Sequence, residues 1–128
     1  AARQAYQMAG ISDPLHEIDV AELYDSYSGV EIQAVEDLGF VSQGSGGPAI
    51  ADGLFDRDGY LPVNTSGGLL GRGAPVGATG IAQAIEVVQQ LWESVTPERQ
   101  IHNARRGLTD THAGIGTICV VNIFERRD

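Results

Sequence analysis

Residues 62–86 read "PVNTSGGLLGRGAPVGATGIAQAIE", with glycine at 67, 68, 71, 73, 77 and 80 and a run straight into a helix-like apolar pattern. So much backbone freedom in one stretch implies that something approaches the backbone closely. Two physical readings are open. Glycines ahead of a helix N-terminus can cradle an anion, such as a coenzyme phosphate or a thioester oxyanion. Alternatively, they let two backbones pack together with no ligand at all. The spacing fits neither the dinucleotide fingerprint nor the Walker loop.

Downstream, Ile81, Ile85, Val88 and Trp92 form one apolar stripe of a helix over about residues 78–94. Upstream, Ala2, Ala5, Tyr6, Met8 and Ala9 suggest a short helix closed by Gly10. "SDPLHE" makes a turn, and "IDVAELY" (18–24) reads as a strand with Ile18, Val20 and Leu23 inward. Val30, Ala34, Val35 and Leu38 keep helical spacing from Ser28 until Gly39 stops it. Residues 41–60 read as a glycine-rich excursion, and "YLPVN" as a short strand entering the glycine region. Two more strands are expected at 104–109 and 115–124, the second buried on both faces because it is nearly continuous in β-branched residues. Strands alternating with helices give an α/β class, a sheet covered by helices.

Composition narrows the function classes. A chain of 128 residues makes one domain with a real core. A formal charge of −9 argues against nucleic acid, which needs a basic face. All eight basic residues are arginines, which removes Schiff-base and pyridoxal chemistry and the P-loop lysine. Cys119 stands alone, so no intramolecular disulfide or cysteine-based zinc site is expected, as suits a reducing cytoplasm. No apolar run reaches bilayer-spanning length. The chain opens "AARQAYQMAGI", without an initiator methionine and already in helical rhythm, and reads as a piece of something longer.

Few side chains form chemical constellations. "DRDG" (56–59) has the first beats of a calcium loop without the rest, and reads as a turn. His16, His102 and His112 are widely spaced with no carboxylate at a ligand spacing, so no metal is expected. His112, in "THAGIG" before the last strand, is the one placed to line a site, although a satisfied core histidine is the plainer reading. "YDSYS" (24–28) follows a strand end, where α/β proteins carry functional groups. There Asp25, or better Ser28, would cap the next helix and leave the Tyr24 phenol free to face a site.

Three of these segments together resemble one family. "VNTSGGLLGRGAPVGATGIAQAIEVVQQL" is similar to the thiolase-superfamily signature, in which an asparagine-glycine-glycine segment leads to a GHPxGATG loop. "IDVAELYDSYSGVEIQAVEDLGF" looks like the upstream segment of the sterol-carrier (lipid-transfer) type thiolases, relatives of acetyl-CoA acetyltransferases. "GLTDTHAGIGTICVVNIFER" resembles their C-terminal glycine loop and last strand. The resemblance spans nearly the whole chain. It implies a C-terminal thiolase half-domain over residues 1–128, a five-stranded mixed sheet with helices on both faces. It further implies an N-terminal thiolase half that carries the nucleophilic cysteine, pairing of subunits as homodimers, and a coenzyme A thioester (acyl-CoA) as substrate with no covalently bound cofactor. This half alone would then be inactive, and Cys119, in the last strand, is not that nucleophile.

Carried over residue by residue, the scaffold positions Asn64, Gly67, Gly68, Gly73, Pro75, Gly77 and Gly80 match the binding loop. Where the resemblance implies the oxyanion-hole histidine of GHP, the chain has Ala74, which can neither donate nor accept a hydrogen bond. Where the lipid-transfer type has HDCF, it has Tyr24-Asp25-Ser26-Tyr27, so Ser26 replaces an acid/base cysteine and Tyr24 keeps a proton donor. The expected function is C–C bond chemistry on an acyl-CoA, of the acyl-transfer or thiolysis type, with degenerate acid/base residues. A second expectation is retro-aldol cleavage of a β-hydroxyacyl-CoA, as in the lipid-transfer-protein aldolases of sterol side-chain breakdown. Tyr24 would serve that step, with a small zinc-ribbon and OB-fold protein as partner; the candidate catalytic residues are Tyr24 and His112. A third is a non-catalytic acyl-CoA or lipid-binding role.

Overall fold

The computed structural model describes residues 1–114 and 116–127. In chain order the helices and strands are α1 (Ala2–Ala9), α2 (Pro14–Glu17), β1 (Val20–Glu22), α3 (Ser28–Asp37), α4 (Gly46–Ala51), α5 (Gly68–Arg72), α6 (Thr79–Leu91), β2 (Arg106–Ala113) and β3 (Ile118–Glu125). β1 lies parallel to β2, and β2 antiparallel to β3, giving a mixed sheet in the order β1-β2-β3. The helices do flank both faces.

Among the described residues the sheet has three strands rather than five. The segment read as a fourth strand, "YLPVN", reaches β1 only through a single parallel bridge, Ala21 to Val63. Two residues explain its brevity. Pro62 has no N–H to give to a ladder, and Asn64 leaves the extended region with φ 54°. The excursion at 41–60 contains the one-and-a-half-turn helix α4, and "SDPLHE" closes into the short α2 with Pro14 in its first turn.

Burial follows strand alternation. Ala21 and Leu108 face a core built with Leu23, Val35, Leu38, Phe40, Leu61 and others beneath α3. Val20 faces the opposite way, toward Val87 and Leu91 of α6 and Ala104. Gly107 sits between, where an added Cβ would collide with Val87 Cγ1. The last strand departs from its sequence reading. β3 spans Ile118–Glu125, starting three residues after Ile115, which lies outside the described residues; Ile118 and Val120 are largely exposed. An edge strand paired on one side only can be rich in β-branched residues without being buried.

α6 presents a second surprise. Its apolar stripe faces away from the sheet, with Ile81 65%, Ile85 52% and Trp92 71% exposed. Its buried side mixes Val87 and Leu91 with polar groups: Gln83, Glu86 and Gln90 lie against the sheet and the 99–101 segment. The polar groups are stable there only because each is bonded. Gln90, for example, donates to Arg99 O at 2.9 Å and accepts from Ile101 N at 2.9 Å.

The α6 contact with β2 can be tested directly. Gly107→Ala should cost about 1–3 kcal/mol through overpacking against Val87, read as a lower urea midpoint at unchanged slope. A wild-type midpoint would show that the helix yields there at no cost.

Candidate functional site

The site grows out of the C-terminal end of β1. Beyond Glu22 the chain turns outward through Leu23, Tyr24, Asp25 and Ser26, and the glycine stretch folds back onto this turn. Asn64 joins the two. Its N–H donates to Ala21 O at 2.8 Å, and its side-chain Oδ1 accepts from Leu23 N at 2.7 Å. Its amide also donates to Glu31 Oε1 at 3.4 Å.

Asp25 is buried and does not cap the helix that follows it. α3 starts after Tyr27 with no side-chain cap, Ser28 included. The Asp25 carboxylate instead accepts from Leu69 N at 2.6 Å and Leu70 N at 3.4 Å, capping the short α5 far along the chain. That contact dictates glycine at 68. The residue has φ 61°, and a Cβ there would run into the Asp25 carboxylate. Gly80 is close but less constrained, with Thr111 Cγ2 3.2 Å from the position a Cβ would take. These two glycines are used for close packing. Gly67, Gly73, Ala74, Pro75 and Gly77 lie on an exposed loop and do not line the cavity described below.

The second clamp is Glu22, fully buried. It accepts from Ser66 N at 3.0 Å and Ser66 Oγ at 2.6 Å, with the Arg72 guanidinium 3.5 Å away. Burial pushes its carboxyl up to about 7, against the pull of the Ser66 bonds.

On the α3 face of the sheet a cavity of about 480 Å³ is lined by Tyr24, Ser26, Asp110, His112, Cys119 and Val121, among others. The sheet register explains the grouping. Asp110 and His112 are two apart on β2 and share a face; Val121 and Cys119 are their cross-strand partners on β3. His112 stacks on Tyr24 with ring centroids 5.6 Å apart and an interplanar angle of 27°. Its Nε2 lies 2.9 Å from Asp110 Oδ2. Tyr24, Ser26 and His112 thus meet at one cavity. His112 is part-exposed on this wall rather than packed in the core, and no group of three or more His, Cys, Asp or Glu side chains placed to hold a metal ion occurs among the described residues.

Sequence reading missed Asp110 and Cys119. It ended the strand at 109, whereas β2 continues through His112 to Ala113 before the turn at Gly114 and Gly116. Period-two alternation carried four residues further would have put Asp110 and His112 on one wall.

Glu22 yields a pH signature. A carboxyl raised in the folded state contributes stability that is complete below its ordinary value of 4.5 and is lost as pH rises through about 7. Wild type should therefore lose stability relative to Glu22→Gln between those limits in parallel denaturation series. A difference independent of pH over that interval would mean the carboxyl is not raised.

The chain matches the family described as "Thiolase C-terminal domain-like" over residues 1–126. It is 49% identical over 126 residues to an acetyl-CoA acetyltransferase of Methanothermobacter thermautotrophicus, covering 98% of this chain and 32% of that protein. It is 36% identical over 125 residues to sterol carrier protein 2 of Bos taurus, covering 98% of this chain and 22% of the relative. A solved structure titled "Ltp2-ChsH2(DUF35) aldolase" superposes with TM-score 0.79 at 27% identity, covering 97% of this chain and 30% of that one. The chain therefore spans a third or less of the length of these relatives. With the family match running over nearly every residue, the chain belongs to the thiolase C-terminal-domain family.

Proposed function

We propose that this chain is the C-terminal half of an enzyme that acts on a C–C bond beside a coenzyme A thioester, and that the bond is cleaved by a retro-aldol step. The observation that carries the reading is the convergence of Tyr24 and His112 on one cavity, ring against ring. Claisen-type acyl transfer would call on an imidazole where Ala74 stands and a thiol where Ser26 stands. A retro-aldol step needs only a base and a hydrogen-bond donor. His112 takes the proton of the β-hydroxyl, the Cα–Cβ bond breaks as the β-carbon becomes a carbonyl, and its electron pair passes into the thioester enolate. Tyr24 donates a hydrogen bond to the enolate oxygen, and the enolate is then protonated at Cα. Similarity to a structure titled as an aldolase supports this reading.

The exposed apolar face of α6 and the exposed strand β3 fit docking of an N-terminal thiolase half, which would complete the subunit; homodimer pairing belongs to the same proposal. A zinc-ribbon and OB-fold partner holding the CoA end is also part of it. Thiolysis is the second reading, supported by 49% identity to an acetyl-CoA acetyltransferase.

The two separate in parallel assays of the full-length protein, with and without the partner, on a β-hydroxyacyl-CoA and on a 3-ketoacyl-CoA plus CoA. The first should be cleaved and the second not. Tyr24→Phe should slow cleavage by roughly a hundredfold to a thousandfold while CoA-ester binding persists. Turnover equal to wild type would remove Tyr24 from the chemistry. Binding without cleavage of either ester would leave an acyl-CoA-binding role in place of an enzyme.

A further inference from the structure

Asp110 is an ionisable group on the cavity that the reading above leaves unused. It is buried to 3% exposure on β2, in a wall it shares with His112 on the same strand and with Val121 and Cys119 on β3. Its Oδ2 makes no aligned hydrogen bond in the described structure, yet lies 2.9 Å from the His112 ring nitrogen Nε2. A buried carboxylate oxygen without a bond of its own costs free energy, and persists where its charge serves a neighbour.

We propose that Asp110 is the positioning residue of this site: it holds His112 by Nε2, so that Nδ1 is the atom left to take a substrate proton. The proposal rests on the assignment of His112 as the base. Its logic is tautomeric. A carboxylate at one ring nitrogen keeps a proton there, which leaves the lone pair on the other and stabilises the imidazolium once a proton arrives. Nδ1 has no hydrogen-bond partner among the described residues, and the ring is braced from the other side by Tyr24. Both partners come from one strand, two residues apart, so the register of β2 fixes their separation. Burial pushes the Asp110 carboxyl up, and the neighbouring imidazole pulls it back toward the charged form. The other ionisable groups around the pair are Tyr24, Tyr27, Cys119, Asp37 and the Ala1 amino group on the cavity, with Tyr6 behind Asp110.

The experiment uses full-length protein in two arms. Imidazole nitrogen NMR of the wild type should find neutral His112 as the Nε2–H tautomer. In Asp110→Asn its titration midpoint should fall by about one unit, as expected when a close opposite charge is removed. The acid limb of kcat/KM for β-hydroxyacyl-CoA cleavage should fall by the same amount with KM little changed, and Asp110→Glu, which keeps the charge, should restore most of it. An Nδ1–H tautomer in the wild type, readable even if Asp110→Asn does not fold, overturns the proposal. So does an unmoved midpoint in the variant, or a moved midpoint with an unmoved acid limb. If wild type cleaves neither ester, the retro-aldol reading fails, while the NMR arm still decides the pairing.

Discussion

One side chain holds the site together. Gln83 of α6 inserts its amide beneath the ends of two strands, donating to Glu22 O at 3.2 Å and to Asp110 O at 2.9 Å, and accepting from the Thr111 hydroxyl. β1 is only three residues long, so its ladder to β2 ends before Tyr24 is reached. The Gln83 bridge extends the join past that point. Tyr24 leaves the end of β1 and His112 lies on β2, so their stacking depends on these two strand ends staying at a fixed distance. A fully buried amide costs several kcal/mol unless it is satisfied, and here both its donor and its acceptor are used.

The same economy accounts for the polarity of α6. Where the helix passes over the open ends of short strands it meets carbonyls and a hydroxyl, and Gln83 satisfies them, while Val87 and Leu91 pack on Val20 further along. The apolar stripe is then free to face outward, and Ile81, Ile85 and Trp92 form a surface suited to a second protein layer. Amphipathic periodicity identifies a stripe but carries no sign. It gives the helix without giving the side on which its neighbour lies.

Around the glycines, close packing and open loop divide within one stretch. Gly68 is dictated by the Asp25 carboxylate of its own fold, and Gly80 packs closely on the Thr111 side chain. Gly73 and Gly77 take positive φ on the exposed loop beside Ala74, with no protein atom within 4 Å of a would-be Cβ. The first pair are packing glycines. The second pair bend a backbone that the described structure leaves facing outward.

Much was determined by sequence alone. Helical spacing and a glycine stop placed α1 and α3 to within a residue, and motif order identified a thiolase C-terminal half before any coordinates. Tyr24 and His112 were singled out as site candidates from their positions next to strands. Sequence could not decide which carboxylate meets which helix. Asp25 passes over its own neighbour to cap α5 some forty-four residues away, because a capping carboxylate is chosen by distance in space. Nor could it join Asp110 to His112, since that depends on β2 running past Thr109, and strand length is set by the partner strand. Local rules acting over one turn or one strand were readable from the chain. Pairings that exist only once separate segments are brought side by side were decided by the tertiary structure.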